Sequence, residues 1–167
     1  MITNIHISRK LEKMIELPQY ENDLNVISKL GSWYANVFFI NRKKYWIISN
    51  CQTFYSIIIK NITNKDIKNF TSIFIENLYN HLKYEGVDIE LKNIIEIVGY
   101  VKFKETKNNQ SVIAYQNRII GSLKYWYRMK DINKISLEEI SKKVNNMPIK
   151  KFEFESSIIE LKKIISP

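Results

Sequence analysis

The chain has 167 residues, 45% hydrophobic and 13% aromatic, which suits one domain with a full core and excludes intrinsic disorder. One cysteine excludes an internal disulfide and a cysteine-based zinc site, and four Gly with three Pro leave no room for a flexible linker. Net charge is +9, from 26 basic and 17 acidic residues, which favours a polyanionic partner.

In chain order, Ile5 and Ile7 alternate with His6 and predict a short N-terminal strand. Ser8 stands as N-cap before RKLEKMIEL, where Leu11, Met14 and Ile15 share a face until Pro18 ends the helix. Residues 19–30 read as irregular or weakly helical. WYANVFFI and YWIIS are rich in aromatic and β-branched residues, and Asn41 to Lys44 separate them, which predicts a hairpin over 33–49. FYSIII continues the sheet near 54–60. Ile67, Phe70, Phe74, Leu78 and Leu82 then recur at helical spacing behind Asn64, with Gly86 as the stop. Asp88 is placed to cap a second helix carrying Leu91, Ile94, Ile95 and Val98, and Gly99 ends it. YVKFKE alternates, with Val101 and Phe103 on one face and Lys102 and Lys104 on the other, as in a half-buried strand near 100–105. A polar loop leads into a long helix over Ser111–Met129. Ser136 with Glu139, and Ser157 with Glu160, make capping-box signatures for two further helices, the first stopping near Pro148. The class is therefore α+β: a small, mostly antiparallel sheet, covered on one side by about five helices, in a single domain over 1–167.

Three segments stand out together: LGSWYAN (30–36), NQSVIAYQN (109–117) and SLEEISKKVNNMP (136–148). They resemble an uncharacterised bacterial family, chromosomal and plasmid-borne, classed as a domain of unknown function. Its members typically read LGDWYAN, then NRSVLGSMND, then a Leu-rich helix ending in Pro. The resemblance spans 1–150 and leaves 151–167 as a C-terminal helical extension. It implies a fold and assigns no activity. Against the family pattern, Ser32 stands where Asp is usual, Gln110 where Arg is usual, Ala114 for Gly and Arg118 for Asp.

Two sets of candidate residues follow. Tyr34 and Asn36 share one strand face, and a ring beside an amide suits stacking on and bonding a small ligand. Asn109 and Ser111 open the long helix, whose unpaired N–H groups attract anions, although an N-cap role explains both. Asn117 lies about 240° of net rotation from Ser111, on another face. The second set is basic: Arg42, Lys43 and Lys44, then Lys102 and Lys104, then Arg128, with Tyr45-Trp46 and Tyr125-Trp126-Tyr127 as flanking rings that suit single-stranded nucleic acid. Only four of the 26 basic residues are Arg, and an AT-rich codon bias accounts for part of the lysine excess.

Other chemistries find little support. His6 and His81 are the only histidines, and they sit in no HExxH or His-x-His spacing, so no metal is expected. No P-loop, GxGxxG or GxSxG is present, and no cofactor is expected. No apolar run approaches the ~18–20 residues of a membrane span, and the first residues lack a secretory leader, so the expected location is cytoplasmic. The expected function is a non-enzymatic binding module of a bacterial cell or mobile element, with nucleic acid or a protein as partner. The alternatives are a small-ligand binder or enzyme with a pocket between LGSWYAN and NQSVIAYQN, and a component of a toxin–antitoxin or defence locus.

Overall fold

The computed structural model describes residues 1–20, 26–129 and 134–165, so positions 21–25 of the stretch read as irregular lie outside the described residues. Five strands form one open, mixed sheet: β1 (Ile2–Ile7), β2 (Trp33–Ile40), β3 (Lys43–Asn50), β4 (Ser56–Lys60) and β5 (Tyr100–Lys104), in the order β4-β3-β2-β1-β5. The β2–β3 and β3–β4 pairings are antiparallel, and β1 is parallel to both β2 and β5. The helices among the described residues are α1 (Arg9–Glu12), α2 (Asn64–Ile67), α3 (Phe70–Tyr84), α4 (Leu91–Val98), α5 (Gln110–Met129), α6 (Leu137–Asn145) and α7 (Ser157–Ile165). The chain is thus α+β with a mostly antiparallel sheet, as its sequence predicts. Of the helices, α3 to α7 run eight residues or more, while α1 and α2 are single turns.

Local chemistry sets the element ends. Ser8 Oγ accepts from Leu11 N at 3.2 Å and starts α1, which ends after one turn rather than running to Pro18. The hairpin turns on two residues, not four. Asn41 and Arg42 have φ of 48° and 63°, the double left-handed turn that matches strand twist, and Lys43 and Lys44 already belong to β3. The helix expected to run from Asn64 is broken into α2 and α3. Thr63 starts α2 by donating from its backbone N and its Oγ1 to Asp66 Oδ2, at 2.8 and 2.7 Å. Asn109 Oδ1 accepts from Val112 N at 3.3 Å and caps α5, the role its sequence context suggested. Ser157 does not cap α7. Its Oγ donates instead to the backbone oxygen of Asn145, at 3.1 Å.

Helices cover both faces of the sheet, not one. Along β2, Trp33, Ala35 and Val37 face one core and Tyr34, Phe38 and Ile40 the other. A strand apolar at nearly every position is the signature of cover on both sides. The first core packs β-strand residues Trp33, Trp46 and Ile57 on α3, α4 and α7, with the Trp33 ring edge-on to Phe74 at 5.1 Å. The second packs Ile47 and Ile58 under α5 and α6, and Phe54 stacks on Tyr115 at 4.9 Å.

Both sheet edges are blunted by side chains. The outward N–H groups of Val101 and Phe103 on β5 are taken by Thr71 Oγ1 (3.1 Å) and Tyr20 Oη (2.8 Å). On β4 the Asn145 amide bonds Ser56 N (2.8 Å) and Ser56 O (3.0 Å), as a neighbouring strand would. Such capping removes part of the template for strand addition.

Candidate functional site

β1 and β5 are adjacent and parallel, yet the chain leaves them toward opposite faces. After β1 it turns into α1, whose Leu11 joins the first core. After β5 it passes through 105–109 into α5, which packs on the second. Two neighbouring parallel strands with diverging exits leave a gap beyond their carboxyl ends, where open α/β sheets hold their ligands. A crevice of about 730 Å³ lies there, lined by Ser8, Arg9, Lys10 and Glu12 on one side and by Glu105, Thr106, Asn108, Gln110 and Ile113 on the other, with Tyr34 of β2 between.

The walls are fixed by short-range bonds. Ser8 N donates to Ala35 O at 2.9 Å, and Thr106 Oγ1 donates to Ile7 O at 2.7 Å, which tie both exits to the sheet. His6 Nδ1 lies 3.1 Å from Glu105 O. Gln110 Nε2 donates to Asn108 Oδ1 at 2.6 Å. The Tyr34 ring is buried at 3% exposure and its hydroxyl makes no hydrogen bond within the described residues. Burial raises the Tyr34 phenol above its ordinary pKa, the Cys51 thiol adds to the rise, and the Arg9 guanidinium works against it. The phenol is therefore a donor at neutral pH.

Behind Tyr34, Cys51 is half-buried and pushed up to about 11 by burial, with Lys107, Asn109 and Lys151 pulling it back. A thiol held protonated in this way is a poor nucleophile at neutral pH. A buried polar seam starts from the same strand. Gln116 Nε2 donates to Tyr34 O (2.8 Å) and Ser49 Oγ (3.0 Å), and Ser49 Oγ meets Ser56 Oγ at 2.7 Å. Asn145 then links Ser56 to Glu85 Oε1 (2.9 Å), which also accepts from Tyr55 Oη at 2.9 Å.

Of the ligand set read from the sequence, only Tyr34 lines the crevice. Asn109 stands beside Cys51 as the α5 cap. Asn36 is half-buried and its Oδ1 accepts from Val37 N at 2.9 Å. Ser111 and Asn117 are exposed on α5. Gln110, one of the departures from the family pattern, does sit on the crevice wall. No linear pattern groups Arg9, Lys10, Glu12, Glu105 and Thr106, because their meeting depends on which face each connection takes. Their one linear signal is position directly after two strands.

The basic set divides. Arg42 and Lys43 are exposed at the hairpin tip. Lys44 follows in β3 and is half-buried. The hydrogen bond of 3.1 Å between Tyr127 Oη and Tyr45 Oη holds the last turn of α5, which carries Arg128, against that strand. Lys104 belongs to β5 at the far edge of the sheet, level with His6. Lys102 does not face solvent. It is 5% exposed, and its Nζ lies 5.5 Å from the centroid of the Tyr20 ring, because Tyr20 crosses the outer edge of β5 and covers the lysine stem. Tyr45 is 4% exposed and Trp46 fully buried, so these flanking rings belong to the two cores.

Among the described residues no group of three His, Cys, Asp or Glu side chains could hold a metal, and no helix is long and apolar enough to cross a membrane. A family model described as Domain of unknown function (DUF6933) matches residues 4–158. The chain belongs to DUF6933. The resemblance read from its sequence, to an uncharacterised domain family, agrees with this. Every residue of the crevice lies inside the DUF6933 match. No curated protein matches the chain.

Proposed function

We propose that this DUF6933 protein is a binding module, without chemistry of its own, whose ligand is a small polar molecule seated in the crevice between α1 and α5. One observation carries the reading: diverging exits from two adjacent parallel strands open a cavity of ligand size, about 730 Å³, lined mainly by polar and charged side chains. Cys51, held protonated and so a poor nucleophile, favours binding over catalysis. The test is amide chemical-shift mapping on the full ¹⁵N-labelled chain with a library of amino acids, sugars, nucleosides and organic acids. Saturable shifts centred on Arg9, Thr106 and Gln110 support the reading. Shifts confined to other surfaces, or none at all, remove it.

A second reading, nucleic-acid contact, draws on the hairpin end, where Arg42 and Lys43 are exposed and the Tyr127–Tyr45 bond holds the α5 turn that carries Arg128 against the same strand. With Tyr45 and Trp46 committed to the cores, Tyr125, exposed on α5 three residues before Arg128, is the ring left to stack on a base. Affinity for an oligothymidylate should then fall steeply with salt. Replacing Arg42 and Lys43 by Gln should flatten that dependence.

A further inference from the structure

Packing does not account for the charges of the crevice. Arg9, Lys10, Glu12 and Glu105 all line it, two of each sign. Among the described residues none of the four forms an ion pair. Arg9 and Glu12 stand three residues apart on α1, a spacing at which helical ion pairs form, and still do not pair. Lys10 is partly engaged, with its Nζ 4.9 Å from the centroid of the Phe39 ring. The neutral neighbours are engaged in part: Ser8 Oγ with Leu11 N, Thr106 Oγ1 with Ile7 O, and Gln110 Nε2 with Asn108 Oδ1. Among the charged and phenolic groups, one guanidinium and one phenol stay open on the donor side, and two carboxylates on the acceptor side.

This balance selects among ligands. A purely anionic molecule would meet both carboxylates, and a purely cationic one the guanidinium and ammonium. A neutral molecule would cover four charges and pair none, which costs desolvation without return. A molecule carrying both signs, held apart by a few bonds, meets each group with its complement. The cavity exceeds what a single amino acid fills and falls in the range of larger small-molecule sites.

We propose that the crevice binds short peptides of two or three residues through their free termini, the carboxylate on Arg9 and the Tyr34 hydroxyl, the ammonium on Glu105 and Glu12. This inference rests on the crevice being the ligand site. The experiment titrates the full ¹⁵N-labelled chain with pooled free dipeptides, the same pool N-acetylated, and the same pool C-amidated. The expected result is saturable shifts at Arg9, Thr106 and Gln110 with the free pool, and binding weaker by about tenfold or more for each blocked pool, the loss of one charged hydrogen bond. Arg9→Gln should narrow the gap between the free and amidated pools, and Glu105→Gln that between the free and acetylated pools, with Tyr34 and Glu12 holding what remains. A merely structural role for either residue would weaken all pools equally. If blocked pools bind as well as the free one, the peptide inference falls while the crevice reading stands. If no pool shifts crevice amides, the peptide inference falls, and the small-molecule screen alone decides the crevice.

Discussion

Asn145 shows how much one side chain can organise. Its amide satisfies both backbone groups of Ser56, donates to Glu85 Oε1 and accepts from Ser157 Oγ at 3.3 Å, all in the interior. Asn145→Ala would strand two buried backbone groups and loosen a buried carboxylate, so it should cost about 2–4 kcal/mol in urea unfolding. Glu85 gives a prediction with a sign. Burial raises its pKa above the ordinary value of 4.5, against the pull of Asn145, Tyr55, Lys142 and Lys162. A carboxyl whose folded pKa is raised contributes stability that is full below the unfolded pKa and is lost as pH rises through the folded one. Glu85→Gln keeps an oxygen for Tyr55 and Asn145 and removes the charge. Relative to the parent, the variant should therefore gain stability between pH 4 and pH 7. A loss over that interval would show that the ionised carboxylate is the favoured form. His81 acts oppositely on the acid side: burial lowers its pKa, so its contribution is full above its unfolded value of 6.5 and lost as pH falls through the folded one.

Elements were legible where the signal was local. The helical spacing of Phe70, Phe74, Leu78 and Leu82, the alternation in β5 and the apolar runs of β2 and β3 all gave elements near their observed bounds. Boundaries set by competing caps were not: Thr63 outweighs Asn64, and Ser157 is drawn into the Asn145 network. Candidate-site residues were legible only as single positions such as Tyr34. The crevice depends on the parallel β1–β5 pairing, which joins residues about a hundred positions apart and leaves no mark in a local window. Gly99 is the exception, a local residue that guards this pairing. Its φ is +61°, and a Cβ there would run into the carbonyl of Met1, the group that accepts from Tyr100 N at 3.0 Å in the first rung between the two strands. Gly86, with φ +76°, has open space around it. Gly99→Ala should cost more than about 2 kcal/mol and Gly86→Ala only about 1, because the second carries backbone strain without a clash. Equal costs would mean that the β1–β5 rung tolerates displacement.

At the scale of the molecule, the two cores share one sheet, and β2 and β3 are buried on both faces. Opening either layer leaves these strands covered by the other, so their backbone bonds break only when both cores are lost. The crevice walls differ. α1 is a single turn with one buried residue, and the segment 105–109 is held by the Thr106 bond to Ile7 and the Asn109 cap. Regions with few buried apolar contacts open at a fraction of the global free energy, and ligand-binding segments are drawn from them. Native-state amide exchange should therefore place β2 and β3 at the global unfolding free energy, with α1 and the first turn of α5 well below it. A ligand bound in the crevice should slow exchange in those two walls together and, because it binds only the folded chain, should also slow β2 and β3 by the factor that it adds to the global unfolding free energy. Uniform protection across walls and strands in the free protein would mean that the crevice is rigid, and that any ligand must fit it as it stands.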